Sequence, residues 1–242
     1  MKRASILAIC SALLFGAVTA TAAEFSGNVT YASDYRFRGI SQGDRSQAIQ
    51  GGFDIELESG LYVGTWASNV GAWSGATIEV DYYAGFAGEF NEDVAYDIGV
   101  LWYNYPEDDA DPDLDYVEIY GSVSVLGGTL GAAYSPDYFA ETDTFFYFYG
   151  DYSIPVMENL SLDLHLGWNL FDSDEDFGAF IGPDVGEDPG KDYIDYSVGL
   201  STSGVGLDFS LAWIGTDLSK AECFAGTSLC DDTVVFSVSK SL

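Results

Sequence analysis

Hydrophobic and polar residues alternate strictly along much of this chain. The clearest stretch is L-S-L-D-L-H-L-G-W-N-L over residues 160–170, where every even position is Leu or Trp and every odd position is Ser, Asp, His, Gly or Asn. Successive side chains of a β-strand point to opposite faces of the sheet, so this period of two predicts a strand with one apolar face. A strand of about 9–11 residues is also long enough to cross a bilayer at a tilt.

The same alternation recurs and predicts twelve strands. Their predicted starts lie near residues 24, 47, 61, 77, 94, 114, 129, 144, 160, 191, 205 and 233. The short connections lie at 59–60, 91–93, 127–128, 155–159 and 203–204, and the longer ones around 34–46, 69–76, 105–113, 135–143, 172–190 and 216–232. An even number of strands, joined alternately by short turns and long loops, is typical of an antiparallel up-and-down barrel in the bacterial outer membrane. An exported soluble β-sandwich is the alternative, but it gives no reason for this alternation of loop lengths.

The N-terminal segment has the features of a secretory signal. A positive start, an apolar run over residues 6–18 and small residues ending at Ala22 or Ala23 fit the pattern that signal peptidase recognises. We therefore predict that residues 1–23 are a signal peptide, with cleavage after Ala22 or Ala23, and that residues 24–242 form one barrel domain.

Two cysteines, Cys223 and Cys230, remain after the signal. An even pair in an exported chain predicts a disulfide that closes a short loop, with two free thiols as the alternative. Neither cysteine has the Cys or His neighbours of a zinc site. No metal and no cofactor is predicted.

The charge of the chain is strongly negative. Its 8 Lys and Arg stand against 39 Asp and Glu, and loss of the signal takes the formal net charge from −31 to −33. Such a surface excludes nucleic acid as a partner. In a barrel, the polar face of each strand becomes the wall of the lumen. The carboxylates predicted there are Asp54, Glu56, Glu58, Glu79, Asp81, Asp97, Glu118, Asp151, Asp163, Asp195 and Asp208.

Rings of carboxylates in a pore favour cations. Five tyrosines are predicted to narrow the lumen further, namely Tyr83, Tyr103, Tyr120, Tyr147 and Tyr149. Twelve strands give a tube wider than an eight-stranded barrel, which side chains fill, and narrower than a large porin. The pattern therefore indicates a modest, acidic channel.

The positive charge is concentrated in the first long loop. Arg36, Arg38 and Arg45 make up half of the six basic residues that remain after the signal. If this loop folds into the barrel, the arginines meet the carboxylate wall and form a constriction of opposed charges, since a guanidinium pairs bidentately with a carboxylate. The alternative places them on the outer rim, in water or bound to lipopolysaccharide phosphates.

The same region carries a resemblance to a known family. The run N-V-T-Y-A-S-D-Y-R-F-R-G-I-S-Q over residues 28–42, followed by A-I-Q-G-G-F-D-I, resembles the opening signature of the proteobacterial TorF-type porins. The similarity is specific over about residues 24–70. Arg36, Arg38 and Gly39, with Ser41, fall at its motif positions. The resemblance implies an outer-membrane channel of unestablished substrate, without catalytic residues.

Two further interpretations have weaker support. His165 shares its strand with Ser161 and Asp163, but all three face the polar side, and a hydrolase needs a serine and a histidine in contact on the lipid side, so we do not predict an enzyme. The alternating aspartates of E-D-D-A-D-P-D-L-D over residues 107–115 lack the Gly and the final Glu of an EF-hand loop. Solvated carboxylates of external loops are the preferred interpretation.

The expected function is passive diffusion of small polar solutes, with a preference for cations, across a bacterial outer membrane. Lipid and lipopolysaccharide would surround the barrel, and Trp102, Trp168 and Trp213 lie where an aromatic girdle at the membrane interface is expected. A plugged barrel that serves as an anchor, adhesin or receptor is the alternative. The sequence leaves the oligomeric state open.

Overall fold

The computed structural model describes residues 23–73, 75–182 and 190–242, so the predicted signal, except for Ala23, lies outside the described residues. Within these ranges there are fourteen strands and one helix. They are β1 (Ala23–Ala32), β2 (Arg36–Phe37), β3 (Ile40–Ser41), β4 (Ala48–Leu57), β5 (Leu61–Trp73), β6 (Ala76–Asn91), β7 (Val94–Asn104), β8 (Tyr116–Val125), β9 (Gly128–Ser135), β10 (Phe145–Met157), β11 (Leu160–Phe171), α1 (Asp174–Ile181), β12 (Asp192–Gly204), β13 (Leu207–Thr216) and β14 (Thr233–Ser241).

Twelve of the described strands, β1 and β4 to β14, form one closed antiparallel barrel. Each pairs with its neighbour along the chain, and β1 closes the ring by pairing with both β4 and β14. The closed ring leaves no barrel strand with an unpaired edge. The predicted fold is confirmed, and each of the twelve predicted starts lies within two residues of an observed one.

The period of two is visible in the burial of the strands. On β11, Leu166 is 59% exposed and Trp168 is 41% exposed. The next residue of the same strand, Asn169, is fully buried, and it pairs with β10 on one side and β12 on the other. Glu79 and Glu118 are likewise buried on the inner face. A barrel with an apolar outer face and a polar interior is the arrangement that a bilayer requires.

The connections define two ends of the barrel. Short turns at 58–60, 92–93, 126–127, 158–159 and 205–206 form the turn end, and the segments 33–47, 105–115, 136–144, 172–182 with 190–191, and 217–232 lie at the long-loop end. The long connection predicted around residues 69–76 is wrong. There β5 continues to Trp73 and β6 begins at Ala76, because the inward-folded segment 33–47 supplies partners, such as the carbonyl of Gln42 that accepts from the backbone N–H of Gly71 at 2.7 Å.

The helix α1 lies in the loop between β11 and β12. The Ser173 hydroxyl caps it by accepting from the backbone N–H of Asp176 at 3.2 Å, and three acidic residues occupy its first turn, where the helix dipole favours negative charge. Phe177 and Ile181 are its buried face. No described helix is both long and apolar enough to cross a membrane.

Candidate functional site

The segment 33–47 folds into the barrel as a tight hairpin, which we call the inner hairpin. Its strands β2 and β3 pair through Arg36 with Ser41 and Phe37 with Ile40, so Arg38 and Gly39 form a two-residue turn. Both turn residues have positive φ, 46° and 80°, which is the geometry of a hairpin turn that matches strand twist. A Cβ at position 39 would lie 2.5 Å from Cγ2 of Thr216, so only glycine lets the tip approach β13 this closely.

Arg36 fastens the base of the inner hairpin. Its Nε donates to the Asp34 carboxylate at 2.7 Å, and its Nη1 donates to the backbone carbonyls of Gly39, Leu229 and Asp231 at 2.9, 3.0 and 3.1 Å. Two of these carbonyls belong to the loop 217–232. The side chain is therefore a tether between the first and the last long loop.

Arg45 makes a second connection to that loop. Its Nη1 donates to the carbonyl of Ser228 at 2.6 Å and lies 3.9 Å from the carboxylate of Asp231. The prediction that the arginines meet the acidic wall does not hold for the guanidinium groups of Arg36 and Arg45. A guanidinium has five N–H donors, and in these two residues loop carbonyls take most of the contacts.

Arg38, at the tip, does reach the wall. Its Nη2 donates to one carboxylate oxygen of Glu118 on β8 at 2.9 Å, and its Nη1 lies 2.8 Å from the other oxygen, so the two side chains form a close ion pair. The guanidinium also lies over the rings of Phe37, Phe145 and Tyr147, at 4.6, 4.9 and 4.3 Å from their centroids. Both charged side chains are almost completely buried. Arg38 and Glu118 thus form a closed contact of opposed charges across the lumen.

A cavity of about 590 Å³ adjoins this contact inside the barrel. Its lining includes all five tyrosines predicted to face inward, Tyr83, Tyr103, Tyr120, Tyr147 and Tyr149. Four of the predicted carboxylates line it as well, Asp81, Asp97, Glu118 and Asp195. We call this space the lumen cavity.

Further predicted carboxylates lie on the same inner face. Glu79 accepts from the Tyr35 hydroxyl at 2.6 Å, and Asp54 accepts from the Tyr83 hydroxyl at 2.9 Å. Asp97 accepts from Tyr62. These tyrosines therefore hold the carboxyl groups at fixed positions.

The remaining predicted carboxylates lie towards the turn end. Asp163 accepts from Ser153 at 2.6 Å and Asp208 accepts from Ser203 at 2.5 Å. Glu56 is half-buried on β4, and Glu58 lies exposed in the turn beyond that strand. This group is separated from the inner hairpin and does not join its contacts.

His165 lies between two carboxylates. Its Nδ1 is 2.7 Å from Asp151 and its Nε2 is 2.8 Å from Asp195, with the Tyr147 hydroxyl at 3.0 Å. Both ring nitrogens are therefore engaged. Ser161 is four residues away on the same strand, about 13 Å at the rise of an extended chain. The serine and histidine considered in the sequence do not form a hydrogen-bonded pair.

The loop residues around the lumen keep their ordinary charge states. Burial raises the pKa of the Tyr35 and Tyr105 hydroxyls well above its ordinary value, and the Glu79 carboxylate raises both further. Burial opposes the charge of Arg38, but the Glu118 carboxylate and the neighbouring tyrosines leave its pKa well above the ordinary value. The tyrosines are neutral donors and Arg38 is a permanent cation.

An aromatic layer covers the inner hairpin at the long-loop end. Its members, which we call the aromatic cap, are Tyr105, Tyr116, Tyr138, Phe139, Phe145, Phe171, Phe177, Phe180, Tyr193 and Phe224. The rings of Tyr138 and Phe145 stack with centroids 3.9 Å apart, and Phe180 contacts Phe171 at 5.0 Å. Sequence reasoning missed this layer, although loops that carry such aromatic residues as Tyr138 and Phe139 were a visible signal.

The predicted disulfide and the aspartate cluster both lie in loops at the long-loop end. The disulfide Cys223–Cys230 is present and buried in the loop 217–232. In the loop 105–115, ligand oxygens of Asp108, Asp113 and Asp115 lie within 4.8 Å of one another. Asp115 already accepts from Trp102, Asn104 and the backbone of Tyr105, so its carboxylate organises the loop.

The fold defines the class: a twelve-stranded barrel of the porin type. The structure of the KdgM porin superposes with a TM-score of 0.54 at 8% identity, over 89% of this chain and 97% of that chain. The NanC porin gives a TM-score of 0.52 at 8% identity, over 89% of this chain and 98% of that chain. A third structure, with a TM-score of 0.52 at 8% identity over 89% and 97% of the two chains, shows the KdgM porin in complex with disordered oligogalacturonate.

The sequence itself belongs to a bacterial family of unknown function, Gcw_chp, whose model matches residues 16–242. No curated protein sequence matches the chain. The comparisons therefore give the fold and the family.

Proposed function

We propose that this protein is a narrow outer-membrane porin through which small cations and small uncharged polar solutes diffuse passively. The observation that carries the proposal is the charge of the lumen cavity. Its Arg36 and Arg38 are paired with Asp34 and Glu118, and Asp195 faces His165, but no ion pair joins Asp81 or Asp97 to a basic residue among the described residues. The cavity lining therefore holds more carboxyl groups than basic side chains, an arrangement that favours cations over anions.

The inner hairpin acts as the constriction in this proposal. It enters from the long-loop end, and its tip contacts β13 through Gly39 and β8 through Arg38, so it narrows the passage between these two strands. Arg38 stays paired with Glu118, which keeps the tip in one position. The tip of the hairpin is fixed, and carboxyl groups without a basic partner lie beside it. Together these features account for a channel that is both small and selective by charge.

The likeness to porins supports a transport role, and the opening signature that resembles TorF-type porins supports it further. The KdgM porin is seen with an acidic saccharide, oligogalacturonate. The acidic lumen of the present chain favours the opposite charge. Polyanionic sugars are therefore not the solutes that we propose here.

The outer face supports a location in the outer membrane. Trp102, Trp168 and Trp213 are exposed on the outer face close to the long-loop ends of their strands. Interfacial tryptophans favour that position, with lipid hydrocarbon below them and lipopolysaccharide headgroups beside the long loops.

A second candidate function is a plugged barrel that acts at the cell surface. The aromatic cap favours it, since Phe171, Phe177 and Ile181 are buried across the long-loop end. In that case the long loops would present a surface for an external partner.

Conductance in planar bilayers tests the proposal and separates the two candidates. A salt gradient should give a reversal potential of cation sign, and Asp81→Asn with Asp97→Asn should move it towards zero. Arg38→Ala should increase the conductance, whereas Lys220→Ala, a control that removes an exposed positive charge from the loop 217–232, should leave it unchanged. A folded barrel that passes no current establishes the plugged alternative, and a reversal potential of anion sign refutes the cation preference.

A further inference from the structure

A second cavity, of about 280 Å³, lies between the inner hairpin and the aromatic cap. Its lining is Phe37, Ile40, Ser41, Gln42, Tyr105, Tyr116, Tyr138, Phe139, Phe180, Tyr193, Phe224 and Leu229. We call it the cap cavity. Phe37 is part of both the cap cavity and the lumen cavity, so the hairpin separates the two spaces.

The described lining of the cap cavity contains no charged residue, and the donor groups of its Ser41 and Gln42 side chains are already engaged. The Ser41 hydroxyl donates to Asp34 at 2.6 Å and accepts from the backbone N–H of Arg45 at 2.8 Å. The amide of Gln42 donates to the carbonyl of Ile40 at 3.0 Å. A sugar or an ion entering this space would lose hydrogen bonds to water without gaining such partners, which is unfavourable.

The hydroxyls of two lining tyrosines, Tyr138 and Tyr105, already have hydrogen-bond partners in the protein. Tyr138 accepts from Arg38 at 3.3 Å, and the Tyr105 hydroxyl is hydrogen-bonded to Glu79. Their rings and those of Phe139 and Phe180 are what remains for a ligand. Aromatic rings pack well against another aromatic ring, in edge-to-face or offset contacts.

The size of the cap cavity sets the size of its ligand. An apolar cavity of about 150 Å³ holds one benzene molecule. The cap cavity is nearly twice that volume. A compact molecule of two fused rings matches it, and most ligand pockets are lined in the same way, by apolar and aromatic side chains.

We propose that the cap cavity is a binding site for a small, uncharged aromatic molecule of about two fused rings. The side chains of Phe139, Phe180 and Phe224 come from three different loop segments at the long-loop end, so the ligand would enter from that side. The site lies on the loop side of Arg38. Binding there does not depend on whether the barrel conducts.

Saturation-transfer NMR on the mature protein in deuterated micelles tests this site, with quinoline and N-methylquinolinium as probes. The two probes share one ring system and differ in charge. Quinoline should show saturable binding at one site per barrel, beyond its partition into empty micelles. N-methylquinolinium should bind at least tenfold more weakly, because the Arg38 guanidinium already lies against the lining rings of Phe37 and Tyr138, at 4.6 and 5.7 Å from their centroids, and repels a second cation.

Variants that fill the cap cavity show whether quinoline binds there. Leu229→Trp fills the cap cavity and should weaken quinoline binding at least tenfold, whereas Leu130→Trp, which adds the same ring to a side chain 73% exposed on the outer face, should leave it unchanged. Phe224→Trp is a second filling variant if the first does not fold, as judged by heat-modifiable migration in gels. Equal quinoline binding by filled and control variants, or tighter binding of the cation, refutes the proposal. Conductance measured in parallel reports on the porin function separately.

Discussion

The guanidinium of Arg38 and the carboxylate of Glu118 form a close ion pair inside the barrel, with Nη1 and Oε1 2.8 Å apart and both side chains almost fully buried. Loss of one partner leaves a buried charge without compensation, which costs about 3–5 kcal/mol. We therefore expect Arg38→Met and Glu118→Leu each to lower the free energy of unfolding by that amount. Urea titration of the barrel in lipid vesicles measures it.

The double variant of Arg38→Met and Glu118→Leu is the informative control. Replacement of a whole buried ion pair by apolar residues is often neutral, because the desolvation of both charges disappears together. The double variant should therefore be more stable than either single variant. Losses that simply add would show that the pair is not coupled.

The disulfide Cys223–Cys230 should stabilise the loop 217–232, which receives the side chains of Arg36 and Arg45. Closing so short a loop restricts the unfolded chain by about 2–3 kcal/mol. Cys223→Ser with Cys230→Ser should raise hydrogen exchange in this loop and in the inner hairpin, with the strands β6 and β7 unchanged. Unchanged exchange in the hairpin would contradict the coupling of the two loops.

The tryptophans should report the inside and the outside of the barrel. A variant that retains only Trp102, which is 43% exposed on the outer face, should be quenched strongly by lipids brominated near the headgroup. A variant that retains only Trp66, which lines the lumen cavity and contacts Tyr35 at 5.4 Å, should not. Fluorescence in vesicles compares them, and equal quenching would oppose the assigned faces.

A charged residue near the middle of the outer face should lower the free energy of unfolding of the barrel. Leu166→Arg places a guanidinium where β11 meets hydrocarbon in the proposed orientation, at a cost of about 2–4 kcal/mol near the bilayer midplane. Val205→Arg, in an exposed turn, should change the free energy of unfolding in vesicles little. A small effect of Leu166→Arg would argue that this face meets water.

The strands could be predicted because each one has an apolar face on the outside of the barrel and a polar face on the inside, which makes hydrophobic and polar residues alternate. A shift of one residue would move Leu166 inward and Gly167 outward, so the alternation itself records the register. The same alternation predicts which side chains of each strand point into the barrel. This is why Asp81, Asp97, Glu118 and Asp195 were predicted to face a common interior, where the structure places them.

The inner hairpin and the aromatic cap depend on contacts between distant segments, and no local pattern encodes those. Arg36, Arg38 and Arg45 looked equivalent in the sequence, yet Arg38 faces a carboxylate whereas Arg36 and Arg45 bind loop carbonyls. The cap residues come from four loops and several strand ends. Their common position could be known only from the closed barrel.

The bonds from Arg36 to Leu229 and Asp231 join residues 193 and 195 positions apart along the chain. During synthesis the hairpin segment is therefore made long before its partners exist. Its final placement has to wait for the loop 217–232. The inner hairpin can therefore reach its final contacts only in a chain whose two ends have come together.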